Sequence, residues 1–238
     1  MKPFLIIKTG GTFASITQRR GDFEDWTAQA MKLAPKEWEC VNVQAGELLP
    51  DPSKYAGCVI TGSHDMVTDD ADWIRHTGTW ISKAVNAKLP MIGICFGHEL
   101  MAMVLGGEAG YHPDGMEVGS VPITLTDQAE DDPLFSQLPR LFTGHVTHSQ
   151  TALVLPKEAV LLASSDHDAH QAFRFGECAW GLQFHPEFDA EAIRFYTGVL
   201  EDKLVEQGRD INTILSEVKE TPESTELMPL FVEYCRAR

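Results

Sequence analysis

The sequence predicts an α/β protein with a mainly parallel central sheet and an antiparallel extension. Three features carry that prediction. Short apolar runs alternate with longer amphipathic stretches through the first half, the alternation gives way near Ser120 to closely spaced strand-like runs, and a helical pattern resumes at Asp189. The first pattern is that of βαβ units, whose crossover helices cover the faces of a parallel sheet. The second is that of antiparallel strands, which short connections can join.

In chain order, "FLIIK" (4–8) reads as the first strand, and "TGGT" (9–12) as a turn in which Gly10 and Gly11 supply unusual backbone angles. "WECVNVQ" (38–44), "GCVITG" (57–62) and "MIGICF" (91–96) are the next strands. Between the last two, Trp73, Ile74, Thr77, Trp80, Ile81, Ala84 and Val85 recur at helical spacing behind a Thr68 cap and an acidic first turn, and Pro90 stops the helix. "SVPITLT", "LFTGHVTHS", "VLLASS", "QAFRFG" and "AWGLQF" predict the antiparallel strands, and a helix follows from Asp189 to about Gln207. Residues 209–238, rich in Glu and helix formers and interrupted by "TPEST" and Pro229, predict a peripheral tail of two helices. No repeat, low-complexity segment or Gly/Ser linker divides the sequence, so residues 1–238 are expected to form a single domain around one large core.

Composition excludes several classes. A formal net charge of −16 opposes a nucleic-acid surface or an anionic membrane, both of which attract clustered Lys and Arg. The N-terminal apolar run ends at Lys8, too short for a signal core or a span. Five cysteines, an odd count without a C-x-x-C pair, suggest neither a disulfide framework nor a thiolate metal site. A reduced, soluble, cytoplasmic protein is expected, with no cofactor and no metal.

The chemistry concentrates in "GICFGHEL" (93–100). A buried strand runs into Cys95, with Gly93 and Gly97 two residues to either side. That is a nucleophile elbow with Cys in place of Ser, in which small neighbours allow a strained strand-to-helix turn. The helix beginning near Phe96 would aim its N-terminal dipole at the sulfur and lower its pKa. Cys40, Cys58, Cys178 and Cys235 lack such surroundings and read as small buried hydrophobes. A base and its orienting acid are supplied by "GLQFHPEF" (181–188): His185 and Glu187 lie two apart in an extended segment, on one side of it, and Pro186 forbids helix at His185. His64, His76, His112, His167 and His170 read as surface or turn residues. The spacing in "HVTH" and "HDAH" lacks the companion ligands of a metal site.

"GICFGHEL" and "FHPEF" together resemble the class I glutamine amidotransferases, whose Cys-His-Glu triad is carried by G-x-C-x-G and H-P-E motifs. The resemblance covers roughly residues 1–200 and implies a flavodoxin-like three-layer sandwich. "GCVITGSHDMVTDDADWI" and "GHVTHSQ" are more similar to stand-alone members and to γ-glutamyl peptidases than to synthetase-fused domains. It implies that Cys95 attacks the side-chain amide carbon of glutamine, that backbone N–H groups near Gly62 and at Phe96 hold the oxyanion, and that His185, oriented by Glu187, protonates the leaving nitrogen. Three positions depart from the family pattern. "TGSHD" stands where the family has a Gly-Gly-Pro-like turn, so Gly62 and Ser63 carry over as its counterparts. Glu99 stands in place of a glutamine that helps hold the substrate; a carboxylate could grip an ammonium or merely favour the first helical turn. "THSQ" falls at a loop contacting the amino-acid end of the substrate, which nominates His148 and Ser149.

"TGGT" is also similar to the first signature of the L-asparaginases, with Thr9 or Thr12 as nucleophile. Nothing like their second threonine, acid and lysine cluster follows, and Thr12 reads instead as a neighbour of the substrate at the C-terminal ends of the parallel strands. Three functions remain. The leading one is hydrolysis of glutamine or a glutamine-like amide through a γ-glutamyl thioester, with ammonia released or passed to a separate synthetase. The second keeps the triad but removes an amino acid or peptide from a γ-glutamyl conjugate. The third is a catalytically silent binding or regulatory module.

Overall fold

The computed structural model describes residues 2–238. Its elements in chain order are β1 (Phe4–Lys8), α1 (Ala14–Arg20), α2 (Phe23–Ala30), β2 (Trp38–Asn42), β3 (Gly57–Ile60), α3 (Asp72–Asn86), β4 (Met91–Ile94), α4 (Phe96–Val104), β5 (Glu108–Tyr111), β6 (Glu117–Leu125), β7 (Leu141–His148), β8 (Gln150–Val154), β9 (Ala159–Ser164), β10 (Ala172–Phe175), β11 (Ala179–Leu182), α5 (Ala190–Val199), α6 (Glu201–Glu206), α7 (Ile211–Glu217) and α8 (Pro222–Arg236). Nine strands form one sheet in the order β2-β1-β3-β4-β11-β10-β9-β6-β7, and β5 pairs with β8 apart from it. From β2 to β11 the pairing is parallel; from β11 to β7 it is antiparallel.

Side chains alternate between two cores, as the period of a strand requires. Leu5, Ile7, Cys58, Ile60 and Met91 face α3 and α4, where Ile74, Trp80, Ile81 and Leu100 cover them. Phe4, Val59, Ile92 and Ile94 face the opposite side, where Leu227, Met228 and Phe231 of α8 are buried. Two buried faces explain why these strands read as continuous apolar runs. The result is a flavodoxin-like arrangement of helices on both faces of a mostly parallel sheet.

Several expectations need correction. α3 begins with Ala71 at its N-cap and no side-chain cap; Thr68 instead accepts a hydrogen bond from Gln150 Nε2 at 2.7 Å. The helix expected from Asp189 to about Gln207 is divided into α5 and α6 at Leu200. "TPEST" opens α8, with Pro222 in the first turn, where its missing N–H costs nothing. α8 then runs through Pro229, an internal break worth ~3 kcal/mol. Burial of Met228, Phe231 and Val232 beside it offsets that cost, so the tail is packed into the core and not peripheral. α1, α2, β5 and β8 occupy stretches where no element was expected. α2 carries a capping box at Asp22 and Asp25, a signal legible in "GDFEDW". No helix among the described residues is long and apolar enough to cross a membrane.

Candidate active site

Three neighbouring parallel strands end at the site. Ile60 pairs with Gly93 and Ile94 with Leu182, so the chain leaves β3 at Thr61 and Gly62, β4 at Cys95 and β11 at Gln183 side by side. Cys95 N–H donates to Leu182 O at 2.7 Å, and Cys95 then turns into α4 with φ 48° and ψ −102°. A non-glycine residue there stores backbone strain. The flanking glycines make the turn sterically feasible: a Cβ on Gly93 would lie 2.5 Å from Gly97 O, and one on Gly97 would lie 2.7 Å from Ile60 O.

The segment after β11 crosses to β7, where His185 N–H donates to His145 O at 2.7 Å. His185 Nδ1 lies 2.8 Å from Glu187 Oε1. Because a carboxylate only accepts, that contact assigns a proton to Nδ1, and in the neutral ring Nε2 then carries the lone pair. Nε2 is buried without a protein partner. Phe188 stacks on the ring at 4.1 Å and fixes its plane. A Cβ built on Gly62 would lie 3.2 Å from His185 Cε1 and 3.8 Å from Cys95 Cβ, so a glycine at this turn lets both side chains converge.

Cys95 and His185 share a cavity of about 290 Å³. Cys95 is only 7% exposed, and its sulfur contacts Thr147 O at 3.9 Å. Burial holds the thiol well above its ordinary range, the charges of Glu99 and Glu187 add to this, and the Phe96 N–H pulls the other way. The lowered thiol pKa expected from the helix dipole is therefore corrected: desolvation outweighs it.

Of the other residues expected at the site, Ser63, Phe96, Glu99, His148 and Ser149 line the cavity, and Gly62 stands directly behind it. Glu99 accepts from Gln183 Nε2 at 3.2 Å, and burial pushes its carboxyl up to about 7 against the opposing pull of His148 and Gln183. His148 has both nitrogens engaged, Nδ1 with Gln150 O at 2.8 Å and Nε2 with Glu117 Oε2 at 3.0 Å. Two acceptors require two donors, an imidazolium. Burial disfavours that charge, but Glu117 and Asp168 outweigh it and raise the pKa. His148 therefore has no free ring nitrogen for a ligand, and Glu117 and Asp168 favour its charged form.

The threonines of "TGGT" are occupied by the scaffold. Thr9 is fully buried and its hydroxyl bonds Thr61 O and Gly62 O, while Thr12 N–H donates to Asp22 Oδ1 at 2.6 Å and its hydroxyl meets Tyr196 OH at 2.7 Å. Neither Gly10 nor Gly11 has a positive φ; they are needed for close approach, since a Cβ would lie 2.6 Å from Ser63 Oγ or 2.8 Å from Asp22 Oδ2. Sequence reading missed Phe13, Phe23, Phe188, Tyr196, Lys203 and His64, all of which line the cavity. His64 is exposed on a bend, as expected, but it also reaches the cavity, where its Nε2 lies 3.0 Å from Tyr196 OH. Only its place in "TGSHD", beside the expected oxyanion turn, could have signalled it.

A cysteine on a strained strand-to-helix elbow, beside a histidine held by a carboxylate at the C-terminal ends of a parallel sheet, has the form of a nucleophile elbow on an open α/β sheet. Residues 23–205 match Glutamine amidotransferase class-I, and the chain belongs to that family. It is 33% identical to gamma-glutamyl peptidase 5 of Arabidopsis thaliana over 177 residues, 72% of this chain and 70% of that protein. It is also 32% identical to a glutamine-hydrolyzing GMP synthase subunit of Methanocaldococcus jannaschii over 142 residues, covering 59% of this chain and 69% of the relative. A solved glutamine amidotransferase from Thermotoga maritima superposes with a TM-score of 0.77 at 19% identity, covering 99% of this chain and 98% of that one.

Proposed function

We propose that the protein hydrolyses γ-glutamyl amide bonds through a thioester on Cys95. The observation that carries this reading is the strained Cys95 elbow beside a His185 whose Nδ1 is held by Glu187 and whose Nε2 lone pair is free. Because burial keeps the thiol protonated, proton transfer to His185 Nε2 accompanies attack on the amide carbon. The tetrahedral oxyanion forms beside the backbone at Gly62 and Phe96. Glu187 stabilises the imidazolium, which protonates the leaving nitrogen as the C–N bond breaks. Water then gives its proton to His185, attacks the thioester and releases the γ-carboxylate, restoring the thiol.

The cavity bears on the leaving group. Beyond Cys95 and His185 it is lined by Phe13, Tyr196, Leu200 and Lys203, which favours a γ-glutamyl conjugate with a bulkier amine, in line with the peptidase relatives. Glu99 is assigned to the substrate's α-ammonium, and His148, which pulls the Glu99 pKa down, to favouring the carboxylate once that ammonium is bound. A second reading is favoured by the similarity to a glutamine-hydrolysing synthase component: glutamine is the substrate and ammonia passes to a separate synthetase.

A glutamine-analogue electrophile is expected to add one label at Cys95, seen by peptide mass spectrometry, and Cys95→Ala to abolish labelling and turnover together. Full hydrolysis by Cys95→Ala would sink the mechanism. Parallel assays with glutamine and γ-glutamyl dipeptides, free of any partner protein, separate the two substrate readings.

A further inference from the structure

We propose that the leaving-group side of the cleft is a binding site for an amino acid with an aromatic side chain, making γ-glutamyl-aromatic dipeptides the preferred substrates. This substrate class presupposes the γ-glutamyl chemistry proposed above and adds the identity of the amine. The leaving nitrogen must come within hydrogen-bond reach of His185 Nε2 to be protonated. The His185 ring lies flat on Phe188 at 4.1 Å, so whatever the nitrogen carries extends along the wall that Phe188 begins.

That wall is aromatic. Phe188 meets Tyr196 at 5.2 Å between ring centroids, Tyr196 meets Phe13 at 5.6 Å, and Phe13 meets His64 at 4.6 Å. All four rings line the cavity. They are also held in place, because the Tyr196 hydroxyl joins Thr12 Oγ1 at 2.7 Å to His64 Nε2 at 3.0 Å. Phe188 and Tyr196 are buried and hold in place the half-buried Phe13 and the exposed His64, so this surface is set before binding without an ordering cost. Departing ammonia has no apolar surface to set against them, whereas a phenyl or indole ring does.

The rim supplies the second half of the match. Lys203 is the only Lys or Arg that lines the cavity, and among the described residues no carboxylate lies within 4.0 Å of its ammonium. In a chain of net charge −16, a lysine left unpaired at a cavity rim suits a ligand carboxylate. A leaving amino acid carries one; a leaving amine or ammonia does not. Hydrolysis balances as one water consumed, the C–N bond broken, a γ-carboxylate released and the aromatic amino acid freed as its ammonium.

The test compares kcat/KM for γ-Glu-Phe, γ-Glu-Phe amide, γ-Glu-Gly and glutamine on the full chain. γ-Glu-Phe is expected to exceed γ-Glu-Gly by about tenfold or more. Phe13→Ala should collapse that ratio toward one, and Lys203→Gln should collapse the ratio of γ-Glu-Phe to its amide. A general folding defect lowers all four substrates together and leaves both ratios where they were. Hydrolysis of glutamine and γ-Glu-Gly without an aromatic preference would overturn this inference and leave the γ-glutamyl chemistry standing. Failure of every substrate, with no labelling of Cys95, would overturn both.

Discussion

The two sides of the cleft hold their side chains by different means. Cys95 and His185 stand just past the ends of adjacent parallel strands, fixed by backbone: a left-handed φ at Cys95, close glycine contacts, and main-chain hydrogen bonds to Leu182 and His145. His148 and Glu99 belong to a buried polar cluster in which Glu117 of β6 meets His148 of β7, Gln171 and Ser165. One side stores strain, the other buried charge. Substitutions on the strained side should therefore cost chemistry, and substitutions on the charged side should change stability, with a sign set by which charge is removed.

The sharpest break is Cys95→Ala, expected to reduce turnover of γ-glutamyl substrates by at least about 10⁴-fold. Cys95→Gly should be equally inactive yet more stable than Cys95→Ala by roughly 1 kcal/mol in urea unfolding, because glycine relieves the left-handed φ. Equal stabilities would mean the elbow is not strained. On the charged side, Glu117→Ala removes the carboxylate that favours protonated His148 and leaves Gln171 and Ser165 without their acceptor, and a loss of about 1–3 kcal/mol in unfolding free energy is expected.

Glu99 offers a pH test of the same contrast. Its folded pKa, about 7, lies above its ordinary 4.5, so the folded state binds the proton more tightly. Stability from this group is complete below pH 4.5 and is lost as pH rises to about 7. Glu99→Gln should match the parent protein near pH 4.5 and exceed it by up to ~3 kcal/mol at pH 8. The same substitution is expected to weaken binding of every γ-glutamyl substrate, glutamine included, because the amide loses the charge pair with the α-ammonium. Glu187→Gln should lower kcat by about 10²-fold with little loss of stability, since the amide keeps the shape but cannot compensate the imidazolium. The smallest effect is expected of Thr12→Val: a loss of about 1 kcal/mol for the bond to Tyr196, with turnover retained. Abolished turnover there would revive the threonine-nucleophile reading.

The polar side of the site was far less legible in the sequence than the strained side. "GICFGHEL" carries its own explanation, because an elbow needs small residues at fixed offsets and both glycines prove to be contact-limited. "HPE" likewise spans a contact between neighbours in sequence, His185 to Glu187. Thr68 misled because a capping residue has the same composition as a loop residue that pairs with Gln150 across the fold. Pro229 misled because local propensity lost to the packing of α8. The lowered thiol pKa failed for a related reason: the helix terminus is visible in sequence, while the burial that opposes it is not.

By itself, then, the sequence determined the class of fold, most strands of the main sheet, the elbow at Cys95 and the His185–Glu187 pair, since each depends on contacts between near neighbours in the chain. Only the tertiary structure decided that Phe13, His64, Tyr196 and Lys203 meet in one cavity, that His148 pairs with Glu117, and that Glu99 is buried in the same cavity wall. Those facts join residues from distant parts of the chain. Burial and field, which set the charge of each group, exist only once the layers have closed around them.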